Sequence, residues 1–161
     1  MATTAAPTYL PAFHEIDRRR LIDGGVWANN PVMVGIVDAV AKVGVPLETI
    51  HALSIGTTGE LKYPPDCLDH GGLLPWARHA AEVIMQGQSV GASGQAQLLL
   101  GAERFLRIDL VVPEGLFSID YADPEKLLAA ASHEAMHAEP KVRGRFLSHI
   151  APEFVPAQRH S

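Results

Sequence analysis

Apolar positions along the chain fall into blocks separated by proline, glycine and asparagine, and the spacing within each block predicts its element. Residues 18 to 23, RRRLID, change from basic to apolar and end in an acid before Gly24 and Gly25. That pattern suits a short strand, Arg18 to Ile22, delivering Asp23 to a turn. Residues 32 to 44, VMVGIVDAVAKVG, carry apolar residues at helical spacing, with Asn30 and Pro31 before them and Gly44 at the end. Asn as N-cap, Pro as first helical residue and Gly just past the end each suit the backbone at their position, so a helix is predicted. TIHALSI, residues 49 to 55, is β-branched and apolar between Pro46 and the sequence GTTG, and reads as a buried strand ending in a turn.

Prolines, acids and paired glycines from Tyr63 to Gly72 indicate loop, and helical content resumes from Leu73 to Ala102 with glycines placed to divide it. RFLRIDLVV, residues 104 to 112, is a third strand candidate. Asp123 and Pro124 then repeat the cap-and-proline device ahead of EKLLAAASHEAMHA, and Pro140 followed by KVRGRFLSHI predicts a second short helix before a tail. Helices alternating with strands predict an α/β fold with a largely parallel sheet.

Composition narrows the class. With 161 residues, 47% of them hydrophobic, the chain can bury one core and is too short to suggest two domains. A formal charge of -5 offers no basic field for a phosphate backbone, so no nucleic-acid partner is expected. The single cysteine, Cys67, cannot form an internal disulfide, which favours a cytoplasmic setting. No window approaches the roughly 18 apolar residues of a membrane span, so any membrane contact is expected to be peripheral.

Three short patterns carry candidate chemistry. HEAMH, His133 to His137, matches the HExxH of zinc hydrolases: on a helix the two histidines share a face, with Glu134 as general base. Such a site needs a third ligand, and the nearby downstream acids are Glu139, beside a proline, and Glu153 in the tail. Two solvated histidines on a helix, with no bound metal, is the expectation, and the zinc hydrolase is the weaker alternative. GQSVG, Gly87 to Gly91, is a literal GxSxG, but such a serine is activated only in a sharp strand-to-helix turn. The preceding ARHAAEVIMQ has helical spacing, so Ser89 and Ser93 are read as helix residues among small neighbours that let the helix bend or pack closely.

The third pattern is Asp23, Gly24 and Gly25. An aspartate at a strand end can accept a serine proton, and glycines beside it let a substrate approach. Trp27 and Val26 are read as apolar packing under that turn, and a mouth for an acyl chain is the other reading. Asn29 is a residue that could contact substrate, and Asn30 is read as the helix cap. His51, in a predicted buried strand, is read as a hydrogen-bonded core histidine.

ATTAAPTYLPAF at 2 to 13, LIDGGVWANNPV at 21 to 32 and ALSIGTT at 52 to 58, in this order and spacing, resemble the second half of the catalytic domain of patatin-like phospholipases. The resemblance is clearest over residues 2 to 58 and continues as a compatible pattern to about residue 150. It implies the second half of a three-layer α/β/α patatin-like fold with a largely parallel sheet, incomplete at the N-terminus. Residues 1 to 155 would form a partial patatin-like domain and 156 to 161 a tail.

The family hydrolyses acyl esters of lipids with a Ser-Asp dyad, without cofactor. By resemblance, Asp23 of the DGG motif is the general base, taking the serine proton during acylation and activating water for deacylation. The family's GxSxG serine and glycine-rich oxyanion loop precede the aspartate, and neither is matched here. The resemblance therefore implies a chain that carries the acid of a dyad and lacks its serine, and that is inactive alone. An open sheet edge would then favour a complementary N-terminal segment or self-association. A catalytically inactive remnant serving as an interaction module is the alternative.

Overall fold

A computed structural model describes residues 2–7, 10–14, 17–57, 59–61, 69, 71–113, 123–148, 150 and 153. Four helices are defined among them: α1 (Gly25–Ala28), α2 (Val32–Ala41), α3 (Leu73–Leu100) and α4 (Pro124–Phe146). The strands are β1 (Ala52–Ile55), β2 (Gly59–Leu61), β3 (Phe105–Ile108) and β4 (Val111–Pro113). The predicted tail at 156 to 161, and most of the loop predicted from Tyr63 to Gly72, lie outside the described residues.

Both strand pairs are parallel, β1 with β3 and β2 with β4, so the fold is α/β. A parallel pair needs a long crossover, and α3 lies between the two halves of each pair. The predicted strand at 104 to 112 is interrupted at Asp109 and Leu110, and β1 is interrupted before β2 at the matching level. The two ladders therefore read as one long parallel pair with a break near its middle. β1 begins only at Ala52, because residues 47 to 49 form a turn of 3-10 helix.

Register places Ala52 beside Phe105 and Ser54 beside Arg107, with Leu53 beside Leu106 and Ile55 beside Ile108 on the opposite face. Against the first face pack α2 and α3, and a core of Ile36, Ala96, Leu100 and Phe105 closes between them. On the other face α4 approaches β3, and the Phe146 ring meets His51 edge-on at 6.2 Å. Helices α2 and α3 thus cover the first face, and α4 covers only part of the other, where Leu53 and Ile55 stay exposed. His51 is exposed, not a core residue, because β1 starts one residue after it.

The helix-end signals hold for α4, with Asp123 as N-cap and Pro124 first, but at α2 the N-cap is Pro31 and not Asn30, because the helix begins one residue later, at Val32. Asn30 Oδ1 accepts the Val32 N–H at 3.3 Å ahead of α2. Gly44 adopts φ 75°, a left-handed conformation that lets Val45 N–H return to the Ala39 carbonyl at 3.0 Å. Asp123 accepts the Lys126 N–H at 3.2 Å at the start of α4.

Four expectations change. Residues 18 to 22 form no strand ladder; a single antiparallel bridge joins Leu21 to Phe13, and the chain turns between them through Asp17 and Arg18 at positive φ. The glycines of α3 do not divide it, and a Cβ at Gly87, Gly91 or Gly94 would meet no described atom within 4 Å. Close packing is therefore not what places glycine there, and nothing in the structure explains these three. Finally, α4 continues through Pro140, so no second short helix forms. Pro140 is exposed, where water can satisfy the carbonyl left without an N–H donor.

Candidate functional site

Asp23 is held at its turn from three directions. Its N–H donates to the Ala5 carbonyl at 3.0 Å, which fastens the turn to the N-terminal segment. Its own carbonyl accepts the Val26 N–H at 3.2 Å, and its Oδ1 accepts the Gly25 N–H at 2.6 Å. The short, charge-assisted bond to Gly25 closes a local turn just ahead of α1, whose N-cap is Gly24. Oδ2 has no hydrogen-bond partner among the described residues, and the side chain is half-buried.

The glycines beside it differ. A Cβ on Gly25 would stand 3.0 Å from Asp23 Oδ1, 3.6 Å from Asn29 Oδ1 and 3.7 Å from Met85 Cε. A side chain at 25 would press directly on the carboxylate. At Gly24 the nearest atom is Thr3 Oγ1, 4.0 Å away, so that position is roomy.

An open cleft of about 480 Å³ lies beside the turn, lined by Asp23 together with Leu21, Ile22, Val26, Trp27 and Gln88, among others. Trp27 is 72% exposed on its rim. The packing role expected for Trp27 is thereby corrected: the indole lies on the solvent side of α1 and not beneath the turn.

GQSVG lies in the middle of α3, far from any strand end, so it forms no nucleophile elbow. The Asn30 amide donates to the Ser89 carbonyl at 3.3 Å and to Ser93 Oγ at 2.8 Å, and no hydrogen bond joins either serine to Asp23.

Those bonds begin a polar chain that sequence reasoning did not find. Asn30 is 4% exposed, and its Oδ1 accepts from Ser54 Oγ at 3.1 Å. Arg107 Nη1 donates to Ser54 Oγ at 2.7 Å, and Nη2 and Nε donate to Asp109 Oδ2 at 2.6 and 3.2 Å. The chain borders a second cleft of about 270 Å³ at the carboxyl end of β1, which Asn29 and Thr57 also line. A signal was present: Ser54 and Arg107 are polar residues inside otherwise apolar strands, and only the β1–β3 register shows that they meet.

HEAMH occupies successive turns of α4. His133 and His137 are both exposed, their ring centroids 4.3 Å apart and their planes inclined at 38°. Among the described residues no third histidine, cysteine or acid joins them in a metal-binding group. Glu139 is instead paired with Arg143 at 2.7 Å. No helix among the described residues is long and apolar enough to cross a membrane.

Fold and site together define an α/β protein with a parallel sheet and an aspartate presented at a glycine turn beside an open cleft. No protein-family model matches the chain. Over 65 residues, 37% of its length, it is 38% identical to a cGAMP-activated phospholipase from Escherichia coli (strain TW11681). The match covers 18% of that enzyme's length.

Proposed function

We propose that this chain supplies the general base, Asp23, of a patatin-like serine esterase that hydrolyses acyl esters of lipids, phospholipids included. The nucleophilic serine and the oxyanion loop would come from a segment outside these 161 residues. The observation that carries the reading is the disposition of Asp23: one carboxylate oxygen is fixed by the Gly25 N–H, and the other has no described partner beside an open cleft. The 38% identity to a phospholipase supports the same class of chemistry.

In that role Oδ2 would accept the serine proton as the hydroxyl attacks the ester carbonyl. The carboxyl would then pass that proton to the departing alcohol as the ester C–O bond breaks and, ionised again, take a proton from the water that cleaves the acyl-enzyme, returning it to the serine oxygen. The bond to Gly25 costs the base nothing in reach, because it engages only Oδ1 and limits rotation of the carboxylate. Ile22, Val26 and Trp27 give the cleft an apolar rim suited to an acyl chain.

The 161-residue chain alone should show negligible turnover of phospholipid or short-chain ester, since the attacking oxygen and the oxyanion donors are both missing. Robust activity abolished by Ser89→Ala would overturn the reading. The inactive interaction module is the second reading, favoured by the apolar side chains of Leu53 and Ile55, which remain exposed on β1. Zinc hydrolysis is not favoured: the two helical histidines have no third ligand among the described residues.

A further inference from the structure

We infer that His133 and His137 form a two-histidine site for a divalent transition-metal ion on the exposed face of α4, separate from the Asp23 cleft and independent of the esterase reading. The helix spans Pro124–Phe146, so both residues sit well inside it, where the backbone fixes their relative position. A spacing of four places the side chains one above the other on a single face. Their rings already lie beside each other, with centroids 4.3 Å apart and planes inclined at 38°.

The hydrogen bonding prepares one ring for a metal. His137 Nδ1 lies 2.8 Å from the His133 carbonyl oxygen. A carbonyl only accepts, so Nδ1 carries the proton and the lone pair of the neutral ring sits on Nε2. A backbone carbonyl that orients a histidine and sets its tautomer is the usual support behind a metal-ligating imidazole. With metal–nitrogen bonds of about 2.0–2.1 Å, two nitrogens on a tetrahedral ion stand about 3.3 Å apart. Small rotations of two exposed rings with centroids 4.3 Å apart reach that span.

The donor set decides the class of ion and the limit of its role. Two imidazoles suit zinc, cobalt, nickel or copper and do not suit magnesium or calcium, which take oxygen ligands. One turn away in either direction the same face offers Ala129 and Ala130, then Pro140 and Lys141, and none of these is a ligand for such an ion. Glu134 stands about 100° around the helix from His133 and about 60° from His137, and it joins them in no three-ligand group among the described residues. Water would therefore complete the coordination, and the ion would clamp one turn of α4. That helix contributes one buried residue, Ala138, among those described.

Titration calorimetry of the 161-residue chain with zinc chloride, in a buffer that does not bind metal, tests the site. One equivalent of zinc should bind; His133→Ala and His137→Ala should each weaken binding about tenfold or more, and the double variant should lose it. His14→Ala, at an exposed position elsewhere, should bind as the parent does, and magnesium chloride should give no heat of binding. Zinc should also raise the melting temperature of the parent and leave that of the double variant unchanged. Alanine favours helix over histidine, so circular dichroism should show the variants folded, and His137→Gln serves as a second, polar replacement. Absence of stoichiometric zinc binding, or equal binding by the parent and the double variant, would overturn the proposal.

Discussion

Asp23 Oδ1 accepts the Gly25 N–H at 2.6 Å, so one carboxylate oxygen closes the turn that presents the other. The structural and the chemical duties of this residue can be separated by choice of substitution. Asp23→Asn keeps an oxygen for the Gly25 N–H and removes the basic carboxylate. Its midpoint of urea unfolding should stay close to that of the parent. Asp23→Ala removes the bond to Gly25 as well and should cost about 1–3 kcal/mol in the same measurement.

Gly56 faces Asp109 across the break in the parallel pair. The Asp109 carboxylate occupies the space a Cβ at residue 56 would fill, and Arg107 holds that carboxylate at 2.6 Å. Gly56→Ala must therefore displace the carboxylate from its guanidinium partner. A loss of about 1–3 kcal/mol is expected from denaturant unfolding. Combining it with Asp109→Ala should recover part of the loss, and additive effects would show that the two positions do not compete for space.

Asn30 gathers four interactions: Ser93 Oγ at 2.8 Å, Ser54 Oγ at 3.1 Å, and the Ser89 carbonyl and the Val32 N–H, both at 3.3 Å. It joins α3, β1 and the start of α2. Asn30→Ala leaves the buried Ser54 with fewer partners and should destabilise the chain by about 1–3 kcal/mol in urea. Asn29→Ala, at an exposed neighbour, should stay within about 0.5 kcal/mol.

Much of the fold was legible because its signals are local. Asn30 and Asp123 each accept a backbone N–H within three residues, Gly44 takes the left-handed turn just past α2, and the helices beside them are legible from those residues. The fate of RRRLI was not legible, because a strand exists only with a partner, and among the described residues Leu21 bridges to Phe13 alone. Pro140 was read as a helix boundary, yet an exposed face tolerates the missing bond. Of the candidate site, the DGG turn could be read from its own residues. The chain from Asn30 through Ser54 to Arg107 and Asp109 could not, since it depends on the β1–β3 register and on how α2 meets that face.

Asp123 gives a pH signature at the start of α4. The Lys126 backbone N–H holds its carboxyl below the ordinary value of 3.8, aided by the Lys126 side chain, and partial desolvation opposes them. The folded value is depressed, so the cap stabilises α4 fully above the unfolded value and loses that effect as pH falls through the folded one. Helix content followed by circular dichroism from neutral pH to about pH 2 should fall in the parent over this range. Asp123→Asn should remove that component of the fall while keeping an oxygen for the cap.

The most direct test of Asp23 as a general base is ester hydrolysis by the 161-residue chain mixed with a patatin-like segment bearing a GxSxG serine and its oxyanion loop. Turnover is predicted only when both pieces are present, and Asp23→Asn should reduce it by about 10²–10⁴-fold while the pieces still associate in size-exclusion chromatography. An associated complex whose turnover is undiminished by Asp23→Asn would contradict the assignment.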